Sequence, residues 1–170
     1  MLIIEMTLYQ LDRSTRNTFG DGRDFRSNEI QVRDISYSRT SAPNGNQQLM
    51  VQSEAIGSTG KRYNPTILYN KVQFEEQDTP QNITVQDESG RPLHINAQSA
   101  KSSDVKVCCD CLDFYWRFAT WNLKHKSLLG NPPKPYVKTT DRPPVNPEQK
   151  AGVCKHLYKL VKQLQAQRIM

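Results

Sequence analysis

The chain has 170 residues, of which 36% are hydrophobic, and a formal net charge of +6. This length predicts one domain, or one small domain with appendages, and the low apolar content predicts a modest core that leaves some segments disordered or covered by other subunits. No apolar run is long enough to span a bilayer, which excludes a membrane-spanning protein.

Residues 1–46 are predicted to form a short strand followed by a polar arm. Residues 1–4 (MLII) are apolar, but a glutamate interrupts the run and makes it too short for a signal peptide. Residues 11–28 (LDRSTRNTFGDGRDFRSN) have little to bury and are typical of an arm or a loop. Strand-like alternation appears at residues 30–32, and residues 41–46 (SAPNGN) carry a strong turn signal.

Residues 47–118 are predicted to form a small antiparallel sheet. Short runs with strand-like composition are separated by polar turns, which is typical of such a sheet. The strand candidates lie at residues 48–55, 66–75, 93–95 and 105–107.

The most aromatic stretch follows the sheet and reads DFYWRFATWNLKHKSLLG. Phe114, Phe118 and Trp121 recur at helical spacing, which predicts a short helix whose rings pack on the sheet. The alternative is a set of rings that stacks nucleic-acid bases, because Arg117 and Lys124 are interleaved with them. The helical spacing favours core packing.

Residues 130–147 (GNPPKPYVKTTDRPPVNP) contain six of the ten prolines and are predicted to form an extended loop. Such loops are often binding surfaces. A C-terminal helix is predicted at about residues 154–167, because an apolar stripe recurs there at helical spacing. The stripe consists of Leu157, Leu160, Val161 and Leu164.

Two short pairs, Cys109/Cys111 and Cys154/His156, contain the candidate metal ligands. Thiolate and imidazole are ligands that tetrahedral zinc prefers, and three cysteines with one histidine are a closed structural set. In an extended run, Cys109 and Cys111 share one face while Cys108 points to the other. Positions i and i+2 do not share a helix face, so Cys154 is predicted at the helix entry and His156 in its first turn.

The 42 residues between Cys111 and Cys154 do not exclude a shared ion. Closing such a loop costs roughly 3 kcal/mol plus a constant, whereas a structural zinc site contributes on the order of 10 kcal/mol or more. Two other interpretations stay open. In the first, Cys108 and Cys111 form a CxxC motif, which is a redox or alternative zinc motif. In the second, the cysteines are buried free thiols and the histidine beside them is incidental. His94 and His125 are isolated, and a solvated or core role is the default for each.

The positive charge is concentrated in residues 101–170, which carry a net charge of +8, whereas residues 1–100 carry −2. A basic half suits nucleic acid or any acidic partner surface. The cysteines do not suggest a disulfide framework, so a reducing compartment is expected at the time of synthesis. The sequence contains no P-loop, GxGxxG, GxSxG or HExxH motif, and the prediction is that the protein is not an enzyme.

The pattern CxC followed at a distance by CxH resembles the SWIM-type zinc finger, although SWIM spacers are usually much shorter. The resemblance implies that Cys109, Cys111, Cys154 and His156 bind Zn²⁺ in a module that contacts DNA or protein. Residues 105–165 also resemble small tailed-bacteriophage virion proteins with this motif. In those proteins the cysteine pair is commonly followed by Asp-Phe and an aromatic/Arg run, as in residues 113–118 (DFYWRF), and the second half is commonly Gly-x-Cys-Lys-His-Leu, as in residues 152–157 (GVCKHL).

The virion resemblance implies a non-enzymatic structural component of a head, neck or tail, assembled in the host cytoplasm and localised to the virion. Its partners would be other virion structural proteins in an assembly that contains multiple copies, and it would not bind a membrane. The alternative is a SWIM-type nucleic-acid-binding module that uses the basic C-terminal segment, including Lys155, Lys159 and Lys162.

The predicted architecture is α+β: a small antiparallel β-sheet with a C-terminal helix attached by a zinc site, plus extended arms and the Pro-rich loop. The zinc module spans residues 105–170. We expect the N-terminal arm and the 130–147 loop to lie against other subunits, since neither buries much by itself.

Overall fold

The computed structural model describes residues 5–20, 27–135 and 137–170 and shows an α+β protein with antiparallel sheets. Helices flank the sheets, and the C-terminal helix lies beside a cluster of cysteine and histidine side chains, so the predicted fold class is confirmed. The helices are α1 (Leu8–Phe19), α2 and α3 (Lys155–Ala166). Helix α2 begins as an α-helix at Leu112–Phe114, continues as a π-helix at Tyr115–Ala119 and ends as an α-helix at Thr120–Lys124.

The larger sheet has the strand order β1-β2-β4-β8, with β3 paired to β2. Its strands are β1 (Gln31–Ser41), β2 (Gln47–Ile56), β3 (Arg62–Tyr63), β4 (Thr66–Tyr69) and β8 (Val105–Cys108). The predicted turn between β1 and β2 is present: the Ala42 N–H donates to the Asn46 carbonyl at 2.9 Å. Gly45 has φ +85° there, a conformation that glycine adopts without a Cβ clash.

The smaller sheet has the order β5-β7-β6. Its strands are β5 (Phe74–Glu75), β6 (Asn82–Gln86) and β7 (Pro92–Asn96). The single strand predicted at residues 66–75 is wrong, because the chain leaves β4 after Tyr69 and re-enters a different sheet at β5. Lys71 has φ +57° at this point, and the Asn70 N–H donates to the Asp104 carbonyl at 3.0 Å instead of to a neighbouring strand.

The polar arm predicted at the N-terminus is wrong for residues 8–19, which form α1. Thr7 and Gln10 form a capping box that starts this helix. Leu8, Leu11 and Thr15 then lie on one buried face, and this short stripe overrides the polar composition of the segment. The helix packs within the chain, so the expectation that it lies against another subunit loses its basis. The strand predicted at residues 1–4 lies outside the described residues, as do residues 21–26.

A single buried cluster joins α1, the sheets, α2 and α3. Phe114 and Phe118 of α2 are buried in this cluster, which agrees with the core packing predicted for the aromatic stretch. Helix α3 confirms the predicted C-terminal helix and buries Leu157, Leu160 and Leu164 completely.

The Pro-rich loop predicted at residues 130–147 contains no helix or strand among its described residues and is mostly exposed. Both of its ends are fixed to α2. The Lys134 N–H donates to the Tyr115 hydroxyl at 3.2 Å, and the Asn146 side-chain amide donates to the Arg117 carbonyl at 2.7 Å. Within the described part of the chain, none of the helices has the length and apolar character that crossing a membrane requires.

Candidate metal centre

Cys109, Cys111, Cys154 and His156 form a buried site able to bind a metal ion. Their four ligand atoms all lie within 4.8 Å of one another. Three parts of the fold bring them together: Cys109 follows β8, Cys111 precedes α2, and Cys154 and His156 open α3. The convergence predicted from the two short pairs is therefore present across the 42-residue spacer.

The histidine presents its Nδ1 atom to the thiols. The distances from Nδ1 to the Cys109 and Cys154 sulfurs are both 3.9 Å. Ligands about 2.0–2.3 Å from a shared tetrahedral ion lie roughly 3.5–3.8 Å from one another. Both Nδ1–sulfur distances are therefore within a few tenths of an ångström of this range, and the four donor types fit such an ion.

The thiols perturb one another strongly. The hydrogen bond with Cys111, together with Cys154 and burial, raises the pKa of Cys109. The hydrogen bond from Cys109 holds the pKa of Cys111 well below its usual range, and burial raises the pKa of Cys154. In such a group a thiolate is stabilised where neighbouring thiols and the Phe114 N–H donate to it. A bound cation replaces the shared protons, which is why metal binding to cysteine sites releases protons.

Two helix N-termini face the sulfurs. The Phe114 N–H donates to the Cys111 sulfur at 3.3 Å, so Cys111 is the N-cap residue of α2. Cys154 is the N-cap residue of α3, as predicted, with His156 in the first turn. The positive ends of both helix dipoles favour negative charge on these sulfurs.

The strand register predicted for the first pair is partly wrong. Strand β8 ends at Cys108, and Cys111 already opens a helix, so the two ligands are not on one continuous strand. The alternation up to Cys108 does hold: Val105 and Val107 are buried, whereas Lys106 and Cys108 are only partly buried. Cys108 pairs with Thr66 of β4 and lies outside the metal-binding group, which removes the basis for a CxxC site.

Asp110 also belongs to this site, although the sequence analysis did not identify it. Its carboxylate accepts a hydrogen bond from the Asn64 N–H at 2.8 Å and another from the Asn64 side-chain amide at 2.7 Å. Tyr63, the neighbour of Asn64, packs its ring against His156 at 4.4 Å between centroids. Asn64 lies 46 residues before Asp110 in the sequence, and Tyr63 is farther still from His156, so no local pattern indicates either contact.

A buried polar network places the segment that enters α3. The Asn122 side chain donates to the Gly152 carbonyl at 3.0 Å and accepts from the Gly152 N–H at 2.8 Å. Thr15 of α1 accepts from the Val153 N–H at 2.9 Å. Asn122 and Thr15 are both buried, so these bonds satisfy backbone groups that water cannot reach. They fix the chain immediately before Cys154.

The isolated histidines lie away from this group. His94 is partly buried, and its Nδ1 is 2.7 Å from the Thr84 hydroxyl, whereas His125 is exposed at the end of α2. Both positions agree with the solvated or core role expected for an isolated histidine. Comparison with known protein families, with curated proteins and with solved structures finds no match to this chain.

Proposed function

We propose that this protein is a non-enzymatic structural component of a tailed-phage virion, stabilised by zinc and acting through protein–protein contacts. The observation that carries the proposal is the closed donor set: four buried protein ligands from distant segments meet around one point. Catalytic zinc sites keep a position open for water or substrate, whereas four protein ligands are typical of a structural site.

Zinc is the ion that the donor types favour. Three thiolates and one imidazole in a tetrahedral arrangement suit Zn²⁺, whereas Mg²⁺ and Ca²⁺ prefer oxygen ligands. The four side chains surround a single point, which suits one ion. A zinc ion here would join the corner between β8 and α2 to the start of α3.

The virion assignment is supported by the resemblance of residues 105–165 to phage virion proteins and by an exposed apolar surface. We call this surface the α2–loop surface. It consists of Leu112 (70% exposed), Trp116 (49%), Val137 (76%) and Val145 (50%). Leu112 and Trp116 are four residues apart on α2, and the loop that contains the valines is fixed to α2 at both ends. Exposed large apolar side chains on a helix and on a loop bonded to it are what an interaction site requires, and the proposal takes these four as one.

The purified protein is expected to contain one zinc ion per chain. Cys108→Ser should leave this stoichiometry intact, because Cys108 lies outside the ligand group. Cys109→Ser should lower zinc affinity and destabilise the C-terminal part by on the order of 3 kcal/mol, since binding energy is folding energy in such sites. Elemental analysis and chelator competition measure both effects. A protein without zinc, or two variants that behave alike, would contradict the assignment.

The virion role predicts that the chain is present in purified particles at a fixed copy number, which quantitative mass spectrometry measures. Trp116→Ala should reduce its incorporation at least severalfold, because tryptophans are enriched among the few interface residues whose truncation costs about 2 kcal/mol or more. Tyr9→Ala is the matched control, since this ring on α1 is similarly exposed (45%) and lies outside the α2–loop surface. Absence from particles would refute the role.

A nucleic-acid-binding module remains the second outcome of these experiments. The net charge of +8 in residues 101–170 favours it, whereas the lysines of α3 are partly buried and the Lys162 ammonium lies 4.8 Å from the centroid of the Tyr158 ring. Duplex binding that weakens steeply with salt would favour this module, because phosphate contacts release counterions.

A further inference from the structure

His156 is held by an aromatic contact on the side of the metal centre that faces β3. Its ring lies 4.4 Å from the Tyr63 ring, centroid to centroid, with an angle of 37° between the planes. Its Nδ1 faces the thiols, whereas its Nε2 is buried and has no hydrogen-bond partner among the described residues. The imidazole orientation is therefore fixed by packing.

This arrangement differs from the usual one. A metal-bound histidine almost always donates its second N–H to a carboxylate, carbonyl or water, and that bond orients the ring. We propose that Tyr63 replaces this hydrogen bond as the positioning residue of the metal centre, and that the Asp110–Asn64 pair holds Tyr63 in place. The proposal rests on metal binding as stated under the proposed function.

Asp110 connects the two halves of this arrangement. It lies between two of the sulfur ligands, and both of its carboxylate oxygens accept hydrogen bonds from Asn64, at 2.8 and 2.7 Å. The residue next to Asn64 is Tyr63, whose ring meets the histidine. The segment that supplies Cys109 and Cys111 is thus bonded to the segment that orients His156.

The other side of β3 is attached to the sheet. Tyr63 pairs with Ala55 of β2, and Arg62 contacts both carboxylate oxygens of Glu54 at 3.1 Å. The Asp110–Asn64 pair adds a contact at the other end of β3, in the short link to β4, and joins this link to the segment that contains Cys109 and Cys111. Ring packing then orients the imidazole without closing the ligand position at Nδ1.

Thermodynamic linkage gives this proposal a second consequence. If the ordered β3 segment raises metal affinity, the bound metal must order the segment by the same factor. The Asn64 N–H should accordingly exchange more slowly with zinc bound than after chelation. This N–H donates to Asp110 and so reports the contact directly.

Chelator competition on the full chain tests the positioning role. Tyr63→Ala is expected to lower zinc affinity about 10–100-fold, the usual effect of removing a group that orients a metal ligand. Tyr63→Phe should restore the affinity, because the ring is kept. Asp110→Ala should lower affinity in the same direction, and the double variant should lose less than the sum of the two single effects, since both residues act through one contact.

Two further measurements separate positioning from loss of charge and from loss of fold. Asp113→Ala removes a carboxylate that is also close to Cys111 but pairs with Arg117, so it should leave the affinity nearly unchanged. The ligand-field spectrum of the Co²⁺-substituted protein should shift in Tyr63→Ala and not in Tyr63→Phe, whereas a merely structural role would leave it unmoved.

The outcomes distinguish this inference from the proposed function. Wild-type protein that binds no metal would overturn both. Wild-type protein that binds zinc, with Tyr63→Ala equal to it in affinity and in the Co²⁺ spectrum, would overturn the positioning role alone.

Discussion

Removal of the metal by a chelator is expected to release α3 while the larger sheet keeps its structure. Backbone amides of residues 155–166 should lose protection from hydrogen exchange first. Helix α1 should follow, because release of α3 breaks the bond from the Val153 N–H to Thr15 and the contact between Arg16 and Tyr158. Strands β2 and β4 should retain protection longest, since their core-facing side chains are fully buried and their hydrogen bonds are within the sheet.

The size of the competing free energies explains this order. Burying the three leucines of α3 contributes about 5–9 kcal/mol. Ordering the backbone of its 12 residues costs about 12–24 kcal/mol. A bound structural zinc contributes on the order of 10 kcal/mol or more, which closes the difference. Packing alone does not offset this entropy cost, so metal binding determines whether the helix docks.

Residue-resolved hydrogen exchange with and without chelator measures the effect, and added zinc in excess is the control that should restore protection. A helix that stays protected in chelator would mean that the metal does not attach it. If β2 and β4 lost protection from exchange before α3 did, the metal would stabilise the sheet instead of the helix.

Local patterns were sufficient to predict the parts of the fold that they determine directly. The leucine stripe indicated α3, and the spacing of Cys154 and His156 indicated where the helix begins. The alternation at Val105 and Val107 indicated β8. The ligand types and their grouping in two short pairs indicated which side chains meet, and strand alternation placed Cys108 on the other face.

The missed features depend on contacts between distant residues. Helix α1 was not predicted because its buried face includes Thr15, a polar residue whose hydroxyl is bonded to the Leu11 carbonyl and the Val153 N–H. Tyr63 belongs to a two-residue strand and Asn64 to the short link before β4, and only the folded chain brings them to His156 and Asp110. Sequence composition carries no information on such pairs.

Gly152→Ala is expected to destabilise the protein by about 2–4 kcal/mol and to lower metal affinity at the same time. A Cβ at this position would lie 2.6 Å from the Phe118 ring and would also overlap the Thr15 hydroxyl. Both neighbours are fully or nearly fully buried, so neither can move away easily. The backbone of residue 152 would have to shift instead.

Such a shift acts on the metal centre through the network that holds this segment. Gly152 makes two hydrogen bonds with the buried Asn122 side chain, at 2.8 and 3.0 Å, and precedes Cys154 by two residues. Moving it strains these bonds and displaces the Cys154 sulfur from the other ligands. The close packing of α1 and α2 around this glycine therefore explains why the segment before the second ligand pair requires a residue without a side chain.

Gly57→Ala is the matched control, because its Cβ would meet only the Lys61 carbonyl, at an ordinary contact distance of 4.0 Å. Urea denaturation measures the stability of each variant, and chelator competition measures its zinc affinity. Both quantities should fall in Gly152→Ala and neither in Gly57→Ala. If Gly152→Ala were as stable as the control, the segment would tolerate displacement. If stability fell while zinc affinity held, the contact of α1 and α2 with residue 152 would support the fold without determining the position of Cys154.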